Sequence, residues 1–551
     1  MSNTITRRRA LAGASAALLL PLAGCGYGGT RDDRAAALFA HGIASGDPDT
    51  DSIVLWTRIS GYRTAVSGRW ELATDQSFRR PLRSGSFTTD AVRDFTCKVV
   101  AGGLRPGATY YYRFEVDGTR SPTGRTRTLP AGHVTELALA VVSCSNHAFG
   151  YFNVYEALAR DAAIDFVLHL GDYIYEHGPD GYGGATGARI GRDHEPRHEL
   201  VSLADYRTRH AQYKRDPMSQ AAHAAHPLIA TWDDHESANN PWAHGAENHQ
   251  PATEGSWPAR RAASLQAYYE WMPVRVPAPG RSPAEYWRHF RFGDLASLVT
   301  LETRHTARAK QIDYFEYRDR LHSRADVQGF RRDVLGARGR NMIADELETF
   351  VGAALAESID AGRPWRLIGN QVLMARMNMP RLNEPLFDDA TGDTDLANRK
   401  LLGELDLPLY TDSWDGYAWA REKFYRLCAE HGARDLLVLS GDSHSFWSNA
   451  LFDRSGTSMG LELGTSAISS PGDFIDFGRA RARRITELLA AHNDEVLWTD
   501  CLHRGYVRLQ LTHGGGSADY VSVSNVLTAD YDTELLRSVR MEHRDGALRY
   551  V

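Results

Sequence analysis

Three largely apolar runs constrain the fold of this chain more than any other feature. They occupy residues 137–142, 165–170 and 435–440, and each suits a strand that is buried on both faces. Stretches at 153–160 and 414–431 have helical character. Because strands alternate with helices, the pattern predicts a layered α/β domain in which β-sheets are flanked by helices.

Residues 38–130, which precede this domain (placed at 135–551), carry a different pattern. Three short β-like runs lie here, at 52–57, 96–100 and 109–116. Clusters of Gly, Pro, Asp and Ser separate them, which is typical of a small β-sandwich. The turn at 104–110 also resembles the corresponding turn of fibronectin-type modules. We expect a fibronectin-like β-sandwich without catalytic residues.

Residues 1–35 have the layout of an export signal. Arg7-Arg8-Arg9 precedes an apolar stretch that ends at Ala23, and this pattern predicts export by the twin-arginine route. Leu22-Ala23-Gly24-Cys25 also resembles the processing box of bacterial lipoproteins, in which the cysteine is acylated. A plain signal that is cleaved nearby is the alternative. We therefore expect the protein in the periplasm or cell envelope, either free or lipid-anchored.

Composition narrows the classes of partner. The formal net charge is -6, and acids and bases are interspersed, so the chain has no extended basic field for nucleic acid. Five cysteines are too few and too dispersed for a disulfide framework. Buried free thiols are the main expectation for Cys97, Cys428 and Cys501, and one disulfide among them is the alternative.

Four short polar segments carry residues that can bind a metal. They are Ser143-Cys144-Ser145-Asn146, Gly171-Asp172-Tyr173-Ile174-Tyr175, Trp232-Asp233-Asp234-His235-Glu236 and Gly441-Asp442-Ser443-His444. Each is a weak signal alone, since turn chemistry, core packing or the first turn of a helix explains any one of them. An open sheet gathers its ligand site at the carboxyl ends of its strands. Together, the four segments therefore indicate a metal-dependent hydrolase.

Other stretches of the α/β domain suggest loops and turns. Residues 176–200 and 238–258 are predicted to form long surface loops, which are either lids or plain insertions. Alternation around Gly514-Gly515-Gly516 predicts a strand pair over 506–524. The Gly-x-Ser-x-Gly pattern at 456–460 matches a nucleophile elbow, but polar residues precede it and no helical stretch follows. We interpret it as a hairpin turn.

The combination of the four polar segments closely resembles the alkaline phosphatase D family, a branch of the metallophosphoesterases related to the purple acid phosphatases. Residues 39–48, 369–371 and 464–469 resemble further segments of that family, so the resemblance extends over nearly the whole mature chain. It implies an Fe3+ site and a second metal site that share one bridging carboxylate. The implied iron ligands are Cys144, Asp172, Tyr175 and His444, and the implied second-site ligands are Asp172, Asp234 and Asp442.

The ligand types agree with these metals. Thiolate, phenolate and imidazole are credible iron ligands, and carboxylate oxygens suit one or two Ca2+ ions. The chain departs from the purple acid phosphatases at Cys144, Asp234 and Asp442, which favours calcium over zinc or divalent iron in the second site. Further candidate ligands are Asp233, Asn240, Asn370 and Gln371.

The resemblance also implies a mechanism and a range of functions. A metal-bound hydroxide would attack phosphorus in line, while Asn146 and His235 steady the phosphate oxygens or protonate the leaving group. We predict a secreted alkaline phosphatase that acts on monoesters, and on diesters as an extension, with small-molecule or lipid phosphate esters as substrates. The alternatives are a phosphodiesterase or phospholipase D-like enzyme and, in another class, an inactive surface lipoprotein that binds a partner.

Overall fold

The computed structural model describes residues 31–388 and 394–551. The twin-arginine motif and Cys25 lie outside the described residues. In the described residues, the helices in chain order are α1 (Arg31–Leu38), α2 (Asn153–Arg160), α3 (Gly184–Ile190), α4 (Leu203–Arg215), α5 (Pro217–Ala225), α6 (Pro251–Glu254), α7 (Trp257–Trp271), α8 (Arg324–Phe330), α9 (Asp345–Asp360), α10 (Thr394–Glu404), α11 (Ala418–Glu430) and α12 (Arg479–His492).

The described strands are, in chain order, β1 (Ile43–Gly46), β2 (Ser52–Arg58), β3 (Val66–Ala73), β4 (Arg83–Thr89), β5 (Thr96–Gly102), β6 (Thr109–Val116), β7 (Thr119–Arg120), β8 (Gly124–Arg127), β9 (Leu137–Val142), β10 (Phe166–His169), β11 (Leu228–Ala230), β12 (Pro241–Trp242), β13 (Gly245–Ala246), β14 (Arg288–Phe292), β15 (Ala296–Thr300), β16 (Trp365–Gly369), β17 (Leu436–Ser440), β18 (Phe446–Phe452), β19 (Ser458–Gly464), β20 (Val496–Asp500), β21 (Arg504–Thr512), β22 (Gly515–Val523), β23 (Thr533–Arg544) and β24 (Ala547–Tyr550).

Two large sheets form the centre of the molecule. The first has ten strands in the order β24-β23-β22-β21-β9-β10-β11-β1-β2-β5, and the second has seven in the order β14-β15-β16-β17-β19-β18-β20. Strands β9, β10 and β11 are parallel, as are β15, β16, β17 and β19. The carboxyl ends of the parallel strands in each sheet therefore gather at one edge.

Apolar side chains from both sheets pack against each other and form the main core. Leu139 and Leu168 of the first sheet belong to the same buried cluster as Leu298 and Leu367 of the second. Helices α2, α4, α5 and α7 cover the outer face of the first sheet, and α9 and α11 cover that of the second. Every residue of β9 is buried because both of its faces are covered. The predicted layered α/β architecture is confirmed.

The N-terminal strands form the predicted β-sandwich. Strands β3, β4, β6, β7 and β8 make a five-stranded sheet, which packs on β1, β2 and β5 around a core that includes Ile53, Leu55, Tyr110 and Phe114. The second layer of this sandwich is not a separate sheet. Gly46 of β1 pairs in parallel with Leu228 of β11, so the N-terminal strands extend the ten-stranded sheet of the α/β domain.

The predicted loops differ in part from the structure. Residues 176–200 contain α3 and fold onto the body of the protein, because His194 and Leu200 are buried and the Leu200 amide donates to the Glu176 carbonyl at 2.9 Å. Residues 238–258 contain the short β12–β13 pair and α6. The predicted strand pair is confirmed as the β21–β22 hairpin, and the Gly-x-Ser-x-Gly pattern lies in the β18–β19 hairpin.

The cysteines of the described residues are all free and buried, namely Cys97, Cys144, Cys428 and Cys501. The alternative of one disulfide is therefore wrong. Across residues 31–388 and 394–551, the structure contains no helix with the length and hydropathy that crossing a membrane requires.

Candidate metal centre and active site

The predicted site residues meet at the carboxyl ends of strands from both sheets. In the first sheet, Cys144 follows β9, Asp172 follows β10, and Asp234 follows β11. In the second sheet, Asp442 and His444 follow β17. The structure therefore brings together four segments that are far apart in the sequence, as the strand pattern predicted.

The first group of side chains contains the four predicted iron ligands. Ligand atoms of Cys144, Asp172 and His444 all lie within 4.8 Å of one another. The Tyr175 hydroxyl donates to Oδ2 of Asp172 at 3.0 Å and lies 3.2 Å from Nε2 of His444. Ser470 donates to the same hydroxyl at 2.8 Å. These sulfur, oxygen and nitrogen donors make a set that suits iron.

A second group consists of carboxylates and adjoins the first. Carboxylate oxygens of Asp233, Asp234 and Asp442 lie within 4.8 Å of one another. Carboxylate oxygens of Asp172 and Asp234 and a ring nitrogen of His235 also lie within 4.8 Å of one another. Asp172 thus belongs both to the thiol-containing group and to the group with Asp234. Within the described residues, Oδ2 of Asp233 and Oδ1 of Asp234 are buried and have no hydrogen-bond partner. Oxygen donors without partners fit a hard cation such as calcium.

Several of the candidate ligands have a left-handed backbone. The φ angles are 63° at Cys144, 56° at Asp172, 64° at Asp442 and 56° at His444. Residues other than glycine rarely adopt this backbone conformation, and those that do cluster at functional sites. At Gly171, whose φ is 106°, a Cβ atom would lie 2.3 Å from the Asp233 amide nitrogen. A glycine at 171 therefore allows the loops after β10 and β11 to approach each other.

Arg304, which sequence reasoning missed, lies among the carboxylates of the second group. Its buried guanidinium donates through Nε to Asp233 and through Nη2 to Oδ1 of Asp442 at 3.1 Å, and Nη2 lies 3.8 Å from Oδ1 of Asp234. Its Nη1 donates to Asp412 at 2.8 Å. The position of Arg304, just after the buried strand β15, is the only sequence signal that could have found it.

The pKa values in the site follow from burial and from crowded negative charge. Burial raises the pKa of Asp172 well above its ordinary value, and the nearby Asp234 raises it further. Burial and Asp233 act in the same way on the pKa of Asp442. Burial, with a contribution from Asp172, raises the pKa of the Cys144 thiol. Arg304 compensates only part of this charge, so the donor set fits additional cations.

Two family models match the chain. The model described as PhoD-like phosphatase matches residues 139–520, and that of the N-terminal domain of PhoD-like phosphatases matches residues 26–130. The chain belongs to the PhoD-like phosphatase family. It is 33% identical over 543 residues to alkaline phosphatase D of Bacillus subtilis (strain 168), with 94% of this chain and 84% of the relative covered. A solved structure of PhoD is 31% identical with a TM-score of 0.76, covering 94% of this chain and 92% of that one.

Membership of the PhoD-like phosphatases confirms the resemblance that the four polar segments indicated. It also makes the protein a phosphoester hydrolase, which argues against the inactive binding lipoprotein. Small-molecule phosphate esters are the substrates that this family assignment implies.

In this phosphatase, His235 lies between carboxylates. Its Nδ1 is 2.7 Å from Oε2 of Glu176, and its Nε2 is 3.9 Å from Oδ2 of Asp234. The ring stacks on Tyr175 with centroids 4.2 Å apart. Burial alone would lower the pKa of His235, but Asp234, Glu176 and Asp172 raise it well above its ordinary value. These carboxylates therefore favour the protonated imidazole, which can donate a proton.

Two glutamates of the site were not predicted to act. Glu176 fixes His235 and also accepts from the Asn239 amide at 2.7 Å. Glu236, in the same polar segment as Asp234, accepts from the backbone amides of Asp172, Tyr173 and Asp233 at 3.1, 2.7 and 2.9 Å. Glu236 thereby ties together the loops after β10 and β11. The sequence motif contained Glu236 but gave no sign of this role.

The remaining candidates occupy different environments. Asn146 is buried, and within the described residues its Nδ2 has no hydrogen-bond partner. Asn240 donates its amide to Oδ2 of Asp234 at 2.9 Å. The side chain of Gln371 bonds to Thr303 at 2.8 Å, Thr231 and Leu301, and Asn370 accepts from Trp414 and donates to Val372. Asn370 and Gln371 are therefore held in structural hydrogen bonds.

A cleft of about 440 Å³ adjoins the carboxylate group. Asn240 and Asp412 lie on its wall, together with Lys310, Phe315 and Arg399. A larger groove of about 1130 Å³ lies between β5 and α7, but none of the candidate metal ligands lines it. We therefore associate the smaller cleft with the chemistry, because its wall includes the partners of Asp234 and Arg304.

Proposed function

We propose that this family member is an exported, metal-dependent alkaline phosphatase that hydrolyses phosphate monoesters. Its family already implies phosphoester hydrolysis. The observation that carries the rest is the position of Asp172, whose carboxylate lies within 4.8 Å of ligand atoms in two groups of metal-binding side chains. A shared carboxylate suits two adjacent metal ions, because its oxygens can contact both.

The metals that fit best are Fe3+ in the first group and one or two Ca2+ ions in the second. Cys144, Tyr175 and His444 offer sulfur, phenol oxygen and imidazole nitrogen around Asp172, whereas Asp234 and Asp442 offer only carboxylates. When bound, the metals would supply positive charge that polarises the phosphate oxygens and lowers the pKa of a water molecule.

The protein groups would position the ester and supply a proton. The unpartnered Nδ2 of Asn146 can donate a hydrogen bond to a phosphate oxygen. The protonated His235, held by Glu176 at 2.7 Å, can donate its proton to the oxygen of the leaving alcohol. Arg304 would orient Asp233 and Asp442, because it contacts both carboxylates.

The cleft beside the carboxylates supports a second candidate, a phosphodiesterase. Its wall combines the half-exposed ring of Phe315 with the cations Lys310, Arg318 and Arg399 and with four acids, namely Glu247, Asp313, Asp395 and Asp412. The ring can contact the apolar part of a larger ester, such as a lipid phosphate ester, whose phosphate would bind at the metal centre. The same cleft can also hold the alcohol portion of a monoester.

Export and location belong to the same proposal. The paired arginines and the box around Cys25 support twin-arginine export to the periplasm or cell envelope, with a lipid anchor as a further step. Cell fractionation of the full chain and of a Cys25→Ala variant tests this step. Release of the variant from membranes that retain the parent would support the anchor, and equal distribution would contradict it.

The deciding experiment compares an aryl phosphate monoester with the matching diester at alkaline pH, using iron-loaded protein with calcium present. Faster turnover of the monoester would support the phosphatase. Faster turnover of the diester would favour the phosphodiesterase. Unchanged rates after both metals are removed by chelation would contradict metal dependence. No turnover of either ester would favour the alternative of an inactive protein that binds a partner.

A further inference from the structure

A second cluster of metal-binding side chains lies at the opposite end of the sheets from the catalytic centre. Its members are His133, Asp294 and His513, whose ligand atoms all lie within 4.8 Å of one another. His133 precedes β9, whereas Cys144 follows that strand. Six residues of β9 separate the two ends, which corresponds to about 20 Å at the usual rise per residue.

Each imidazole lies close to one oxygen of the Asp294 carboxylate. Nδ1 of His133 is 2.9 Å from Oδ2 of Asp294, and Nε2 of His513 is 3.3 Å from Oδ1. The rings are stacked with centroids 5.2 Å apart and planes inclined by 17°. The side chains of Asp294 and His513 are 41% and 40% exposed, so a dissolved ion and a water ligand can reach them.

Hydrogen bonds hold together the turns that carry His133 and Asp294. The Val134 amide donates to Oδ1 of Asp294 at 2.9 Å, and the Asp294 amide donates to the Gly132 carbonyl at 2.9 Å. A Cβ atom at Gly293 would lie 2.3 Å from that carbonyl. The two turns therefore lie in direct contact and present their side chains next to each other.

His513 is fixed by a different part of the second sheet. The indole of Trp365, in β16, donates to the carbonyl of the neighbouring Thr512 at 2.8 Å. Thr512 also donates its hydroxyl to the Gly515 carbonyl at 3.0 Å, which closes the β21–β22 turn. All three turns are thus held before any ion binds, which reduces the ordering that binding would otherwise require.

We propose that His133, Asp294 and His513 form a second, non-catalytic site for a divalent transition metal, with Zn2+ as the best fit. Two imidazoles and one carboxylate are a three-ligand set that zinc accepts, with water in the fourth position. In a tetrahedral zinc site, bonds of about 2.0–2.2 Å place the ligand atoms roughly 3.3–3.6 Å apart. The separations of 2.9 and 3.3 Å require only small adjustments.

A bound ion would connect three turns, of which those of His133 and Asp294 already share backbone hydrogen bonds. His133 lies in the segment between the N-terminal strands and β9, Asp294 in the β14–β15 turn, and His513 in the β21–β22 turn. The ion would therefore join the first sheet to the second at the end remote from catalysis. This role is structural and does not depend on the proposed phosphatase chemistry.

The test uses untagged protein already loaded with its catalytic metals. We would titrate it with Zn2+ by calorimetry, alongside His513→Gln and His133→Gln variants. The matched control is His198→Gln, because His198 is exposed and faces one carboxylate, Asp205, at 3.0 Å. We expect one zinc equivalent in the parent and the control, and at least tenfold weaker binding in the two cluster variants. Equal binding in all four proteins, or none in the parent, would overturn the proposal.

A second measurement separates this site from the catalytic centre. An Asp172→Asn variant should still bind the same zinc equivalent, and its Cu2+ complex should show an electron paramagnetic resonance spectrum with two coordinated nitrogens. The nitrogen splitting should be lost when His513→Gln is added. Loss of the equivalent in Asp172→Asn alone would assign the ion to the catalytic centre and would overturn the proposal. Unchanged turnover and a normal circular dichroism spectrum would show that the His513→Gln protein is folded.

Discussion

Nη2 of Arg304 lies 3.1 Å from Oδ1 of Asp442, although the two residues follow different strands of the second sheet. The same guanidinium contacts Asp233, which follows a strand of the first sheet. A single buried cation thus holds carboxylates from both sheets in one group. Substitution of Arg304 should show how far a bound metal ion can replace the positive charge of its guanidinium.

The first prediction concerns Arg304→Met. In metal-free protein, the substitution leaves buried carboxylates without their partner, and the unfolding free energy should fall by about 3–5 kcal/mol. With saturating calcium the loss should be smaller, because calcium would bind the carboxylates that the arginine releases. Denaturant unfolding with a chelator and with calcium measures both values.

Arg308→Met is the matched control for that experiment. Arg308 is also buried and contacts Asp412, the residue that accepts from Nη1 of Arg304. Its hydrogen bonds go to Asp412, Thr303 and Met342, and not to the carboxylates proposed for calcium. Arg308→Met should therefore lower the unfolding free energy by the same amount with and without calcium. An equal calcium effect in both variants would refute the link between Arg304 and a metal.

The second prediction concerns the two tyrosines near His444. The Tyr175 hydroxyl lies 3.0 Å from Asp172 and 3.2 Å from Nε2 of His444, whereas Tyr182 lies 3.4 Å from Nδ1 on the other side of the ring. Tyr175→Phe should abolish phenolate-to-iron absorption in the visible range and weaken iron binding more than roughly 100-fold. Tyr182→Phe should retain the absorption. A coloured Tyr175→Phe protein would exclude Tyr175 as an iron ligand.

The third prediction concerns His235 and its partner Glu176. His235→Gln should lower kcat by roughly 10²–10⁴ while the metal content is kept, as expected for a lost general acid. Loss of metal in this variant would make His235 a ligand instead. Glu176→Gln should lower the pKa of His235, because Glu176 is one of the carboxylates that raise it. The alkaline limb of the pH–rate profile should then begin at lower pH. An unchanged limb would mean that His235 is not the group whose titration causes it.

The strands and most candidate ligands could be predicted because both depend on local pattern. An apolar run followed by Cys144 or Asp172 identifies a buried strand and the polar residue at its end. Arg304 could not be predicted in this way, since its role depends on carboxylates more than 60 residues away. The pairing of β1 with β11 could not be predicted either, because no local signal specifies which distant strand will be a neighbour.

The same reasoning explains the loop that was predicted at 176–200. Its content of Gly, Arg and His is typical of a surface segment, yet Arg209 of α4 donates to the carbonyls of Tyr175, His177 and Glu195. This one buried guanidinium draws the two ends of the segment towards the helix. Long-range hydrogen bonds of this kind leave no periodic trace in the sequence, so composition alone suggested an open loop.

The last prediction is a change of stability with pH in the metal-free protein. Burial raises the pKa of Glu236 to about 7 and, with the effect of Asp234 opposed by Arg304, the pKa of Asp233 to about 6. In the unfolded chain both carboxyls titrate near pH 4. Between about pH 4.5 and 7, these two groups therefore hold protons in the folded protein that they have released in the unfolded chain, so their own contribution to the unfolding free energy should fall as the pH rises. Buried histidines such as His169 and His444, whose pKa values burial lowers to about 3, act in the opposite direction. The effect of Glu236 is therefore measured as the difference between the parent and a Glu236→Gln variant.

Metal should reverse this trend, because its ligands bind as anions and its affinity rises with pH. Denaturant unfolding of the parent and of Glu236→Gln at pH 5, 6 and 7, with chelator and then with iron and calcium, measures both slopes. Without metal, the parent should lose stability relative to Glu236→Gln across this range, and the loaded parent should gain stability relative to the metal-free parent at each step. A metal-free parent that gains stability relative to Glu236→Gln from pH 5 to 7 would mean that the backbone amides around Glu236 already compensate its buried charge.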